Sequence, residues 1–405
     1  MRLDGGPYAP AMRLGRYREI LRAPGVAPLM LAAFVGRLPY GMNILAAILL
    51  LRAAGFDYAE VGIVTAASGL SVGAAAPVMG RVIDRVGQTR VLLFAAVFTA
   101  VSGTVFVVAV LEGASAPLVT VLAFVAGLCV PPVSPSLRAL LPSLVGRERL
   151  DTAFALDALL LELVFISGPL LAAGIATAIS PEVAFLTGVA FQAAGGLGVA
   201  SSRYSRRWRP EPHEPGTRRA SALATPGLRV LVLALALTAV ALGVLEIGIP
   251  AFAERHATRG DAGWLFALWS LGSLAGGLWY GAHRWHLPPH LRFLVVTGVL
   301  TAGLAPLPLA GSMPVFAVLV IVAGLGLAPS TAAAYSLVGD LAPAGAVTEA
   351  YSWQIVGYVA GSAVGTWLAG LVVEHAGVGA ALACAPLAAL LGLLVALAGR
   401  RAITV

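Results

Sequence analysis

Apolar stretches long enough to cross a lipid bilayer recur about twelve times along this chain, separated by short polar breaks. The first, Val26 to Leu51, holds a single charged residue, Arg37. About 20 apolar residues in a helix span the hydrocarbon core. In lipid every such segment must satisfy its own backbone hydrogen bonds, and at this length only a helix does so. The pattern predicts spans at 26–51, 59–79, 90–112, 117–138, 153–178, 182–202, 227–252, 261–282, 291–311, 314–338, 347–373 and 377–399. The fold class expected is therefore an all-α integral membrane protein.

The longest polar break, 203–226, carries Arg203, Arg206, Arg207, Arg209, Arg218 and Arg219 among four prolines. It reads as a flexible linker. The expected organisation is an N-terminal segment 1–25, a six-helix bundle 26–202, the linker 203–226, a second six-helix bundle 227–399 and a tail 400–405. Within 1–25, Ala11 to Arg22 fits a short amphipathic helix lying on the membrane, with Met12, Leu14, Tyr17, Ile20 and Leu21 on one side.

The two sets of six spans echo each other. Val125-Ala126-Gly127-Leu128 recurs 197 residues later as Val322-Ala323-Gly324-Leu325, and at the same offset Pro132 matches Pro329 and Gly168 matches Gly365. Six is an even number, so both halves enter the membrane from the same side. Halves related in this way place a substrate site between them, near the bilayer midplane.

Composition sharpens the class. Of 405 residues, 59% are hydrophobic and 11% charged, against about 25% charged in soluble domains. The 26 basic residues are all arginine, and the two cysteines, Cys129 and Cys384, lie within apolar spans as small packing residues. A pI near 9.9 raises the question of nucleic acid, but the arginines sit between spans, where membrane orientation accounts for them. With the N-terminus cytoplasmic, 22 arginines fall inside, Arg52, Arg255 and Arg259 fall outside, and Arg37 lies within a span. Both termini and the linker are thus expected in the cytoplasm.

Between the second and third spans stands Gly80-Arg81-Val82-Ile83-Asp84-Arg85-Val86-Gly87-Gln88-Thr89-Arg90. This resembles the signature cytoplasmic loop of the major facilitator superfamily. With twelve spans and the internal repeat, the resemblance covers essentially the whole chain. The flanking text Gly36-Arg37-Leu38-Pro39-Tyr40-Gly41-Met42 and Glu349-Ala350-Tyr351-Ser352-Trp353 is similar to a bacterial branch labelled sugar- or drug-efflux-like permeases. The resemblance implies two pseudo-symmetric six-helix bundles that rock about a central site. It also implies Gly80, Asp84, Arg85, Gly87 and Arg90 as a conformational gate that meets the eleventh span and braces the outward-open state. Gly168-Pro169 partly resembles the helix-bending antiporter motif of the fifth span. Its flanking glycines are replaced by Val164 and Ala172-Ala173, and Ala123 stands where drug:proton antiporters carry an arginine.

Ionisable groups within spans are costly and mark ion pairs or proton paths. Arg37 must find partners in the bundle interior, and the candidates are Glu162 and Asp157 in the fifth span and Glu246 in the seventh. A carboxylate that exchanges an arginine for water as the protein rocks binds and releases a proton. Glu162 is the first candidate for that role and Glu246 the second, with Asp157 closer to the membrane surface. Asn43, Tyr335 and Gln354 are candidates for the substrate cavity, with Gln192 and Trp353 behind them. His283, His286 and His290 read as a loop around Pro288-Pro289 rather than a metal site. The arginines after the fourth span, Arg138, Arg147 and Arg149, are expected to pair with loop acids or lipid headgroups.

These features point to a monomeric secondary transporter in a bacterial inner membrane. The expected task is proton-coupled export of a small amphipathic or sugar-like molecule, with no cofactor and no metal. An uncoupled facilitator or importer is the alternative. A non-transporting sensor on the same scaffold is the alternative of another class. No catalytic constellation suggests an enzyme.

Overall fold

The computed structural model describes residues 19–146, 149–208, 222–283, 285–343 and 347–404. It is an all-helical protein with no strand among the described residues. Most of the segment expected to lie on the membrane, Ala11 to Arg22, falls outside the described residues. The first half comprises α1 (Val26–Ala53), α2 (Tyr58–Val86), α3 (Gln88–Leu111), α4 (Ala116–Gly127), α5 (Val133–Val145), α6 (Leu150–Ala178), α7 (Pro181–Ser201) and a short α8 (Arg203–Arg207). The second comprises α9 (Pro226–His256), α10 (Ala262–Ala282), α11 (Pro289–Leu304), α12 (Met313–Gly324), α13 (Leu327–Leu341), α14 (Val347–Ala376) and α15 (Val378–Ala398).

Ten helical segments are long and apolar enough to cross a membrane. The other two expected spans have local causes. The fourth is divided into α4 and α5 across residues 128–132, where Pro131 and Pro132 supply no amide donors. The eighth, α10, is long enough but rich in Gly, Ser, Trp and Tyr, which lowers its hydropathy. The polar linker also begins later than expected, because Arg203–Arg207 forms a helical turn tied to α3 by the Thr89 and Ser205 hydroxyls, 2.9 Å apart.

The internal repeat is built into the packing. In the first half α1 packs on α6 and α7, α2 on α4, and α3 on α7; in the second, α9 packs on α14 and α15, α10 on α12, and α11 on α15. The same small residues make the crossings. Gly168 of α6 meets the backbone of Gly41 in α1, and Gly365 of α14 meets that of Gly243 in α9. Gly195 lies on Ala32 and Gly36, and Gly392 on Ala234 and Thr238. Gly127 faces Ser68 and Ser71, and Gly324 faces Trp269 and Ser273. Small residues let backbones approach where lipid provides no hydrophobic drive for association.

Between the halves, the main contacts are α2 with α14 and α6 with α10. They crowd toward one end. Gly62 and Gly370 bring α2 and α14 together there, Gly73 meets Val359 nearer the middle, and Gly263 of α10 lies on Pro169 and Ala173 of α6. Beyond Gly73 and Val359 the helices part: Val78, Val82 and Val86 on α2 and Ile355 and Val356 on α14 are exposed. The molecule is closed at the end carrying Tyr58 and Gly370 and splayed at the other. A side chain at Gly370 would strike the Tyr58 carbonyl. Gly370→Val is therefore expected to keep the Tyr58 end from closing, read as increased maleimide labelling of a cysteine placed at Thr366, which is buried at this crossing. Unchanged labelling would show that the α2–α14 crossing tolerates a side chain.

Candidate functional site

Four groups of residues carry the polar chemistry within and around this helical frame. The first is a buried ion cluster in the first half. Arg37 is 0% exposed and donates from Nη1 to Asp157 Oδ1 at 2.5 Å. Asp157 is equally buried, and its other oxygen accepts from Arg138 Nε at 2.9 Å. One carboxylate thus serves two arginines, and Arg37 Nε and Nη2 remain without partners. Tyr40, one turn along α1 from Arg37, lies beside Ser134 and within electrostatic reach of both guanidinium groups. Asp157 is the partner of Arg37 among the three carboxylates expected to compete for it. Arg138 reaches into the bundle rather than to loop acids.

The second group is in the other half. Glu246 of α9 is half-buried, and the Ser362 hydroxyl lies 3.4 Å from each of its oxygens. No ion pair among the described residues involves it. Tyr358 stands within electrostatic reach of it and Tyr335 within reach of Tyr358; both tyrosines are nearly half exposed, at 48% and 46%. Aligning the repeat on Gly41 and Gly243 puts Glu246 at the position of Ile44, one turn beyond Tyr40. Glu246 and Tyr40 therefore lie on equivalent faces of the first helix of each half. Gln354 is buried, with Oε1 unpartnered. Asn43 turns to α7, donating to Gln192 at 3.5 Å. Glu162 is half-buried, with neither ion pair nor hydrogen bond among the described residues. It is one helical turn from Phe165, at the α6–α10 crossing.

That crossing rests on a proline. Pro169 has no N–H to offer the carbonyl four residues earlier, which is Phe165. The Ser270 hydroxyl of α10 donates to this carbonyl at 3.0 Å. Gly168-Pro169 thus shapes two contacts at once. Gly168 admits α1, and Pro169 leaves an acceptor for the opposite half.

The third group closes the Tyr58 end, and nothing in the sequence reading singled it out. Glu254, near the end of α9, accepts from Arg52 Nε (3.2 Å) and Nη2 (3.0 Å) and from the Tyr58 hydroxyl (2.6 Å). Arg259 adds Nε at 2.8 Å and Nη2 at 2.7 Å. The Arg52 guanidinium lies 4.2 Å from the Tyr58 ring centroid, and the Tyr58 amide donates to Glu374 of α14 at 3.3 Å. Arg52 and Tyr58 belong to the first half; Glu254, Arg259 and Glu374 belong to the second. Arg259 is delivered by a turn that Asp261 ties to Thr258. The Thr258 hydroxyl and the Trp264 indole donate to Asp261 and hold its carboxyl below the usual range. The signal was available in principle: oppositely charged residues at the ends of spans 1 and 7, which parity puts on the same side.

The fourth group is the 80–90 loop. Gly87 has φ +87°, a conformation suited to glycine, and makes the tight turn between α2 and α3. Gly80 lies inside α2 with open space where a Cβ would be, so the close approach expected there is not made in this conformation. Arg85 and Arg90 are exposed, and Asp84 lies in the last turn of α2 with its side chain outside the described residues.

The sequence matches the family model of the Major Facilitator Superfamily over residues 29–282 and 230–402. The chain belongs to that superfamily. An uncharacterised MFS-type transporter, y4rN, from Sinorhizobium fredii (strain NBRC 101917 / NGR234) is 30% identical over 281 residues. That match spans 65% of this chain and 66% of the relative, just under two thirds of its length. Nucleoside transporter NupG superposes with a TM-score of 0.73 at 12% identity, over 93% of this chain and 99% of that one. A peptide transporter POT in complex with alafosfalin gives 0.73 at 16% identity, over 94% and 95%. A bacterial homologue of the iron transporter ferroportin, in an inward-facing state, gives 0.68 at 15% identity, over 92% and 97%. At these identities the likenesses establish a shared fold alone. Family membership makes this chain an MFS-type membrane protein.

Proposed function

We propose that this MFS-type transporter exports a small, partly apolar organic molecule in exchange for protons, by rocking the bundles 26–202 and 227–399 about a central site. The observation that carries the coupling is Glu246. It is a carboxylate inside the membrane frame, on a site-facing position, whose hydrogen-bond partner is a hydroxyl rather than a cation. Such a group takes up and gives off a proton as its access to water changes. Asp157 is held by two arginines and serves the framework. Glu162, unpaired at the α6–α10 crossing, is the second proton-carrying candidate.

The arginine asymmetry orients the chain with both termini in the cytoplasm of a bacterial cell and the Glu254 cluster outside. The closed end then faces outward and the splayed end faces inward. In the opposite state the 80–90 loop, with Gly80, Asp84, Arg85 and Arg90, would close on α14, and the open space at Gly80 accommodates that approach. The surroundings of Glu246, with the Tyr358 ring and the Ser362 hydroxyl beside it, favour a neutral or weakly cationic substrate.

The test uses everted membrane vesicles with an acid interior and a pH-sensitive dye. Amphipathic cations and sugars are added in turn to vesicles bearing wild type, Glu246→Gln or Glu162→Gln. A compound that collapses the gradient with wild type and not with Glu246→Gln is the expected result, with coupled flux reduced at least tenfold. Substrate movement without any gradient response would overturn coupling and leave a facilitator.

A further inference from the structure

The two halves repeat each other's packing, but the break in the fourth span differs from that in the tenth. In the second half, α12 and α13 are separated only by residues 325–326, and Gly326 packs directly on Leu300 of α11. In the first half the equivalent break runs over residues 128–132 and opens into a cavity of about 460 Å³. It lies between α2, the α4–α5 break and the start of α3, with Trp208 on its wall.

The wall is largely apolar, with Val72, Met79, Ile83 and Leu128 among its residues, and no charged side chain lines it among the described residues. The polar side chains on it are Tyr40, Gln88 and Ser136, with the Trp208 indole. Gln88 is 1% exposed, and neither its amide nitrogen nor its carbonyl oxygen has a hydrogen-bond partner. Ser136 is 2% exposed, and its hydroxyl is likewise unpartnered. Buried polar groups are almost always paired, so an amide and a hydroxyl buried without partners beside a cavity call for a complement. A carboxamide offers an acceptor and a donor side by side. A second amide matches both at once, whereas a charged group would be stranded among apolar walls. The volume falls in the range of small-molecule sites, about 300–1,000 Å³.

We propose that this cavity is a binding site for an uncharged small molecule that pairs an amide-type group with Gln88 and Ser136 and lays an apolar or aromatic body against Met79, Ile83 and Trp208. The site is in the first half and is separate from Glu246 in the second.

The test is equilibrium dialysis on the full-length protein in lipid nanodiscs, with 2-naphthamide as the probe. The charged controls are 2-naphthoate and 2-naphthylmethylammonium. Wild type should bind the amide saturably at one site, and each charged control at least tenfold more weakly. Gln88→Leu, which removes the pairing, and Ala76→Phe, which fills the cavity, should each weaken amide binding at least tenfold without lowering the melting temperature. If Gln88→Leu does not fold, Ser136→Ala and Ala76→Phe report on the same cavity. Binding unchanged by the variants places the probe elsewhere. Equal binding of the charged controls removes the amide as the recognised group. No saturable binding leaves the cavity to water. Each of these outcomes overturns the proposal.

Discussion

Asp157→Asn should unfold the transporter more readily than any other single charge-removing change in the membrane frame. Arg37 is fully buried and has one charged partner, and Arg138 shares that same carboxylate. Removing one member of a buried pair leaves an uncompensated charge, at a cost of about 3–5 kcal/mol. Here two arginines would face each other across the vacated site. The expected result is a large fall in melting temperature and in the yield of monodisperse protein in detergent. Replacing buried charge by well-packed apolar groups is often neutral. The double variant Arg37→Leu with Asp157→Leu is therefore expected to recover much of the lost stability, leaving transport to be tested separately. An Asp157→Asn protein that melts like wild type would show that the cluster carries no folding energy.

Glu254→Gln should have the second largest effect, on conformation rather than folding. Glu254 accepts from Arg52 and Tyr58 across the halves and from Arg259 within its own. Hydrogen bonds to a charged group contribute about 1.5–3 kcal/mol where shielded, and less near a solvated surface. The cluster is half-exposed, so a net loss of about 2 kcal/mol is the reasonable scale, or roughly thirtyfold in the closed-to-open ratio at that end. The expected observation is faster labelling of a cysteine introduced at Thr366, buried at the α2–α14 crossing, in Glu254→Gln than in wild type. Equal labelling would mean that the α2–α14 and α6–α10 crossings alone keep this end shut.

The architecture was largely legible in the sequence because each membrane span announces itself by length and apolarity. The repeat was legible only in part. Gly127 with Gly324 and Gly168 with Gly365 stand 197 apart, whereas Gly41 with Gly243 stand 202 apart, so a single offset cannot reveal the crossings of the first helices. The partner of Arg37 was open among three carboxylates because depth alone favours Glu162. Arg37 is eleven residues into α1, Glu162 is twelve into α6, and Asp157 is seven. An arginine side chain spans the difference, and Arg138 approaching from α5 decides the choice in favour of Asp157. The Glu254 cluster was hidden for another reason. Counting arginines for orientation treats Arg52 and Arg259 as solvated ends, and only the fold shows that they converge on one carboxylate. The Phe165–Ser270 bond was hidden likewise, since Gly168-Pro169 signals a bend but not which helix uses the freed carbonyl.

The most direct measurement of alternating access is a pair of spin-label distances at opposite ends of the molecule. Labels at Ala54 and Ala257 report on the Glu254 end, and labels at Val82 and Ile355 report on the splayed end, in a background with Cys129 and Cys384 replaced. Each pair should show two distance populations. Changing pH or introducing Glu254→Gln should shift the two pairs in opposite directions, one end opening as the other closes. A single unchanging distance at both ends, or both ends opening together, would contradict a protein that rocks about a central site.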